Sequence, residues 1–166
     1  MIDLKGKGLF TGTLGAVPIA GHWARFEDGV WITSDDIAVQ EIIDSFTLDQ
    51  AKAEIKAKVT TLAKAIRDKI VSGTSPGEMA SWPIKFAEAS AYSANPSAVT
   101  PMLTTEATQR GVTVESIAVR VTVNAVILGR IEANIAGTQG RHNDNLKALT
   151  TFDDVAAYDF STGWPA

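Results

Sequence analysis

The pattern of hydrophobic and polar positions changes near Thr33. Before that point the chain holds two stretches rich in strand-forming residues, LFTGTLGAV and HWARFEDGVWIT, with Glu27-Asp28-Gly29 placed to make a turn. An Asp-Gly pair is typical of a tight hairpin because glycine adopts positive φ without a steric penalty. Residues 1–33 are therefore predicted to form a small β-rich segment. Because an isolated hairpin is only marginally stable in water, we expect helices, a third strand or another subunit to cover it.

From Thr33 onward the pattern is helical. Four positions have the side chains that commonly begin a helix, since Ser, Thr or Asp can accept a hydrogen bond from the first backbone N–H groups. They are the sequences Ser34-Asp35-Asp36, Thr47-Leu48-Asp49-Gln50, Ser75-Pro76-Gly77-Glu78 and, more weakly, Thr151-Phe152-Asp153-Asp154. The predicted fold is mainly α: an N-terminal β-hairpin segment (1–33) followed by a helical bundle (34–166).

The helix predicted over residues 48–71 carries a regular apolar stripe. Its members are spaced by steps of 3, 4, 4, 3, 4 and 4: Leu48, Ala51, Ile55, Val59, Leu62, Ile66 and Ile70. This eleven-residue repeat corresponds to about 3.67 residues per turn, close to a straight helix. Two interpretations stay open, a core helix of a bundle and a self-associating, nearly straight coiled coil. The basic residues on the same helix are interrupted by acidic ones, which favours a solvated face over a basic contact surface.

Three later segments are less regular. Residues 113–136 contain an alternation typical of a strand, but a helical stripe spans the whole segment from Val114 to Ile135, and its length favours a helix. Pro83 either kinks a helix or begins a new one after Ser81. Thr138-Gln139-Gly140 is expected to break the chain before the sequence RHNDNLKAL.

Composition narrows the class of protein. The chain has 166 residues, a net charge of −4 and no cysteine. An acidic balance argues against a nucleic-acid binder that depends on phosphate contacts. The lack of cysteine excludes disulfides, thiolate chemistry and cysteine metal sites. No signal peptide is expected, and no apolar stretch reaches the ~20 residues that span a bilayer.

The sequence spacing of the polar and charged residues matches no common catalytic or ligand-binding motif. The chain has two histidines, His22 and His142, and they lie far apart in the sequence. The stretch His142-Asn143-Asp144 is a candidate for a cation or a glycan hydroxyl, although a polar junction between a loop and a helix explains it better. The glycines of MIDLKGKGLFTGTLG lack the spacing of a phosphate-binding loop. No catalytic, metal or cofactor site is therefore assigned, and we expect the protein not to be an enzyme.

The order of several sequence stretches resembles a known family. FEDGVWITSDDIAVQEIIDSFTL is followed by a Lys/Ala-rich helix, then by SPGEMASWPIKFAEASAY, TTEATQRGVTVESIAVRV, a closing helix and AYDFSTGWPA. This succession is similar to the largely helical domain on phage and prophage tail-fibre and tail-fibre assembly proteins. The resemblance covers most of residues 25–166, and it depends on the order of the stretches, since no single stretch is diagnostic. The family defines no catalytic residues.

The resemblance implies a structural virion protein of the tail, baseplate or tail-fibre region. Such a protein contacts other phage tail proteins, forms a homo-oligomer (a trimer is expected, because tail fibres are commonly trimeric), and is found in the virion and, during assembly, in the host cytoplasm. Neither nucleic acid nor membrane insertion is expected. Two alternatives stay open, an assembly chaperone of the tail fibre and a carbohydrate-active enzyme acting on the host wall.

If the protein acts by binding other tail proteins, apolar and aromatic side chains are the candidates for residues that contact those partners. Those selected are Phe10, Trp23, Phe26, Trp31, Leu48, Ile55, Val59, Leu62, Ile66 and Trp164. The terminal Trp164 is a special case, because chain ends are usually polar. We expect it, with Tyr158 and Phe160, to close the bundle on earlier aromatics such as Trp82, Phe86 and Tyr92. Docking onto a neighbouring subunit is the alternative.

Overall fold

The computed structural model describes residues 21–28 and 30–165. Over this part the protein is mainly helical and begins with a two-stranded antiparallel hairpin, which confirms the fold class predicted from the sequence. The candidate Phe10 lies outside the described residues, as does the glycine-rich stretch around it. Phe26 belongs to the first strand, but its side chain is outside the description.

The hairpin is short and is closed by the predicted turn. Strand β1 (Ala24–Glu27) pairs with β2 (Val30–Thr33) in a register that places Glu27 opposite Val30. Two residues are left to connect the strands, and Asp28 has a φ of 50°. A positive φ at the first connecting residue is typical of a type I′ turn, whose twist matches the twist of the strands.

Six helices follow the hairpin. Their bounds are α1 (Asp36–Ser45), α2 (Leu48–Ile70), α3 (Pro76–Ala94), α4 (Pro101–Arg110), α5 (Val114–Ala148) and α6 (Phe152–Ala156). Taken singly, none of these helices combines the length and the apolar composition needed to cross a bilayer; α4 and α5 reach both together, with a bend of 111° between them.

The predicted helix starts are confirmed by side-chain caps. Asp35 accepts hydrogen bonds from the amides of Ile37 and Ala38 at the start of α1. At the start of α2 the reciprocal pair is complete: the Gln50 amide donates to Thr47 Oγ1 (3.2 Å), and the Thr47 amide donates to Gln50 Oε1 (2.7 Å). Ser75 and Thr151 cap α3 and α6 by accepting hydrogen bonds from the amides of Glu78 and Asp154 (3.1 Å each). These local bonds satisfy N–H groups that have no partner within the helix.

One helix start was not recognisable from the sequence. Thr100 precedes α4 without a side-chain cap, and the carboxylate of Glu88 on α3 takes its place. Its two oxygens accept from the amides of Met102 (3.2 Å) and Leu103 (2.9 Å). A negative charge at a helix N-terminus also interacts favourably with the helix dipole. The contact therefore joins α3 to α4 through residues 14 and 15 positions apart, whereas a local cap joins residues two or three positions apart.

The break predicted at Thr138-Gln139-Gly140 is wrong. Helix α5 runs without interruption from Val114 to Ala148, so both Gly137 and Gly140 lie inside it. A glycine inside a helix costs only about 1 kcal/mol relative to alanine. That cost is easily exceeded when apolar side chains on both sides of the glycines are buried, as Ile135 and Leu146 are here. Helix α4 ends at Gly111, which caps it with a φ of 63°.

Pro83 does not begin a new helix, since α3 continues from Pro76 to Ala94 with this residue inside it. The segment 113–136 is helical throughout, as its length indicated. The alternating valines of this segment therefore lie on different sides of a helix and not on one face of a strand.

The described residues pack as two units. Unit 1 contains the residues up to Ala63 and Thr138–Trp164, and unit 2 contains Lys64–Gly137. Within unit 1, Val39 and Ile43 of α1 are buried with Ala24 of the hairpin. A larger cluster joins α2 to the end of the chain, with the buried residues Ala51, Ile55, Val59, Leu146 and Val155. The core of unit 2 is made by α3, α4 and α5, with the buried residues Ala89, Leu103, Ala107, Ile117 and Ala118.

Candidate functional site

The contact candidates of α2 lie on the inner side of that helix. Ile55 and Val59 are buried in the unit 1 cluster, with Leu48 packed against its edge. Leu62 and Ile66 are half-buried. The first half of the stripe thus packs within unit 1, as the interpretation of α2 as a core helix predicts, and the side chains of Ile55 and Val59 are not accessible to a partner in this structure. The last member of the stripe, Ile70, is 37% exposed.

The aromatic candidates of the hairpin remain closer to solvent. Trp23 is exposed, and its ring lies under the guanidinium of Arg25 at 5.3 Å. Trp31 is half-buried and packs against the small cluster around Val39 and Ile43. Trp23 and the exposed Val30 and Ile32 leave apolar surface on the hairpin.

An extended apolar surface lies on α5, and the candidate residues chosen from the sequence do not include it. Val119, Val123, Val126 and Ile127 are each 50% or more exposed. Their spacing places them on one side of the helix. We call these four residues the outer stripe. The valines that alternate in the sequence belong to two different sides, because Ile117 and Val121 face the core of unit 2.

Two opposite charges flank the outer stripe. Glu115 lies one turn before Val119, and Arg130 lies one turn after Val126. Both side chains are exposed. Apolar positions spaced by 4 and 3 residues and bordered by charges are typical of a helix side that packs against another helix. The sequence pattern that could have identified this side is a second apolar periodicity, offset from the stripe that faces the core.

A buried histidine organises the end of the chain in unit 1. His142 is 3% exposed and makes two hydrogen bonds. Its Nε2 lies 3.1 Å from the carbonyl oxygen of Thr162, and its Nδ1 lies 2.7 Å from the hydroxyl of Tyr158. Because a carbonyl can only accept, Nε2 carries the proton and donates, so Nδ1 accepts from the tyrosine in the neutral ring. The predicted loop–helix junction at His142-Asn143-Asp144 is therefore wrong: these residues lie inside α5.

Trp164 packs onto the same histidine. The indole stacks on the ring of His142 with centroids 5.5 Å apart, and its N–H donates to the carbonyl of Phe160 (2.8 Å). Tyr158, Phe160 and Trp164 all pack against the cluster of α2 and α6. The terminal aromatics thus pack within unit 1, in a cluster that also contains Phe46 and Phe152. The sequence could not specify the partners because it does not reveal which helices are neighbours.

Unit 2 contains a cavity of about 460 Å³ between α3, α4 and α5. On its polar side, Glu106 forms ion pairs with Lys85 (2.8 Å) and Arg110 (2.7 Å). All three line the cavity, and Lys85 and Glu106 are mostly covered. Hydrogen bonds from Lys85 and Arg110 hold the pKa of the Glu106 carboxyl below its ordinary value, because they stabilise the charged form.

In the described part of the chain, no group of three or more His, Asp or Glu residues is arranged to hold a metal ion. Comparison with models of known protein families, with curated proteins and with solved structures finds no match for this chain.

The first prediction concerns the bond between Tyr158 and His142. In Tyr158→Phe the buried Nδ1 loses its donor, and leaving a buried acceptor unpaired costs about 1–3 kcal/mol. We expect urea unfolding to give a free energy of unfolding lower by this amount. Tyr92→Phe is the matched control, because the Tyr92 hydroxyl has no hydrogen-bond partner within residues 21–28 and 30–165. Equal losses in the two variants would contradict the role of the Tyr158 hydroxyl.

The second prediction concerns pH. The folded state lowers the pKa of Glu106, so this carboxylate adds stability above its unfolded pKa, ordinarily 4.5, and that stability is lost as the pH falls through the folded pKa. In Glu106→Gln this contribution is absent at every pH. Urea titrations between about pH 6 and about pH 3 should therefore show a smaller loss of stability in the variant than in the wild type. Glu54→Gln, which removes an exposed carboxylate on α2, should retain the wild-type dependence. A wild-type pH profile in Glu106→Gln would refute the assignment.

Proposed function

We propose that this protein is a structural component of a bacteriophage tail, in the baseplate or tail-fibre region, and that it acts through protein–protein contacts. The observation that carries the proposal is the outer stripe of α5, whose four branched apolar side chains are exposed. Contiguous exposed apolar surface marks interaction sites, because leaving it in water is unfavourable. The order of sequence stretches that resembles tail-fibre proteins supplies the biological setting.

The partner of the outer stripe is a second copy of the chain. In an antiparallel pair of α5 helices, the register that places Glu115 opposite Arg130 of the second copy also places Val119 opposite Val126. The two ends of the contact then form equivalent ion pairs, and the branched side chains fill the centre. A self-complementary surface of this kind is what a twofold axis requires.

The charges favour this arrangement over a parallel trimer through the same stripe. Three parallel helices in register would bring three Arg130 side chains together at one layer, and like charges at short distance repel. The threefold symmetry expected from the resemblance would then have to arise from another surface of the chain.

The third prediction uses charge reversal. Glu115→Lys and Arg130→Glu should each weaken association, because each places like charges at both ends of the antiparallel pair. The double variant Glu115→Lys/Arg130→Glu should restore it, because opposite charges face each other again. Light scattering on the purified protein over a range of concentrations measures the effect as a shift in the monomer–dimer midpoint.

A second pair of variants separates the apolar contribution from charge. Val123→Lys should yield a monomer, whereas Val99→Lys should not, because Val99 is an 88% exposed valine outside the helices. A wild type that is monomeric at all accessible concentrations, or a double charge variant as weak as the single ones, would contradict pairing through α5.

The fourth prediction concerns the particle. We expect the protein to remain with purified tails after washing at high salt, and Val123→Lys to be depleted from them relative to Val99→Lys. Mass spectrometry of intact particles measures both. Presence in assembly intermediates combined with absence from finished particles would replace the structural role with that of an assembly chaperone, and absence from both would refute the proposal.

A further inference from the structure

The cavity of unit 2 has the composition of a small-molecule site. Its apolar floor is built from α5, where Ile117, Val121 and Leu128 recur at helical spacing, and Trp82 of α3 forms part of its wall. A volume near 460 Å³ is within the range of ligand pockets, which are mostly apolar and contain a few placed polar groups. The floor is therefore suited to a flat or chain-like apolar body.

The charges lining the cavity have an excess of positive sign. Lys85 and Arg110 share one carboxylate, that of Glu106. Arg120 adds another positive charge and Glu78 another negative one. The lining thus carries one more cation than anions, although the whole chain has a net charge of −4. A concave surface with walls of low polarity strengthens the local potential, so an anion is favoured over a cation here.

Arg120 is the residue best placed to receive that anion. It lines the cavity from α5, one position before Val121 of the floor. Within residues 21–28 and 30–165 it has no ion-pair partner, whereas Lys85 and Arg110 are both engaged by Glu106. Asn124, one turn further along α5, also lines the cavity and adds a donor and an acceptor beside the guanidinium.

We propose that this cavity binds a small amphipathic monoanion, with its apolar body between Trp82 and the floor of α5 and its carboxylate on Arg120. This inference is independent of the proposed role in the tail, because it concerns the interior of unit 2 and not the outer stripe. Charge-assisted hydrogen bonds from a guanidinium to a carboxylate are directional and strong, so Arg120 distinguishes an acid from a neutral molecule of the same shape.

The experiment uses naphthylacetate as the probe and naphthylacetamide as its neutral counterpart of the same shape. Isothermal titration calorimetry on the full chain should give one naphthylacetate bound per chain, and the amide should bind at least about tenfold more weakly. In the NMR spectrum, naphthylacetate should shift the indole N–H resonance of Trp82 and leave that of Trp164 unchanged.

Two variants and one control locate the site. Arg120→Gln should lower the affinity for naphthylacetate by about tenfold and leave that for the amide unchanged. Ala125→Phe, which fills the cavity from α5, should abolish binding of both. Lys58→Gln removes one positive charge from an exposed position of α2, and this variant should bind naphthylacetate like the wild type. Circular dichroism establishes that each variant is folded.

Three results would overturn the proposal. They are equal affinity for the acid and the amide, unchanged binding of the acid in Arg120→Gln, and binding that persists in a folded Ala125→Phe variant. Association measured by light scattering is a separate readout. A failure of the cavity proposal therefore leaves pairing through the outer stripe standing, and a failure of pairing leaves the cavity proposal standing.

Discussion

The structure depends on how one helix distributes its apolar surface. Helix α5 is 35 residues long and carries branched apolar side chains on two opposite sides. One side supplies Ile117 to the core of unit 2 and, further along, Leu146 to the core of unit 1. The other side has no cover in the described part of the chain. A helix that is apolar around much of its circumference is normally buried on all sides, whereas one side of α5 is left exposed by the described residues.

This constraint connects the fold to the proposed function. The proposed pairing with a second copy rests on the exposed branched side chains of this stripe and on the charges of Glu115 and Arg130 that flank it. Helix α5 thus contributes buried side chains to the core of each unit and also carries the exposed outer stripe.

Polar contacts between residues that are distant in sequence stabilise the positions of the helices and of the C-terminal segment. Glu88 satisfies the start of α4, His142 joins Tyr158 to the Thr162 carbonyl, and Glu106 bridges Lys85 and Arg110. Each is largely withdrawn from solvent, where an unpaired polar group is costly. In the cavity of unit 2, Glu106 pairs with Lys85 and Arg110, whereas Arg120 has no ion-pair partner within the described residues, and the proposed anion site rests on this difference.

The sequence by itself determined the local structure. The turn at Asp28, the caps at Asp35 and Thr47, and the inner stripe of α2 follow from interactions between residues a few positions apart, which any short peptide would also favour. The tertiary structure decided what depends on distant neighbours. Gly137 and Gly140 stay helical because buried residues on either side compensate their cost. Trp164 stacks on His142, and Glu88 caps α4 from within the preceding helix α3. The outer stripe depends on distant neighbours in the same way, because only the packing of unit 2 shows which valines of α5 face the core and which are exposed.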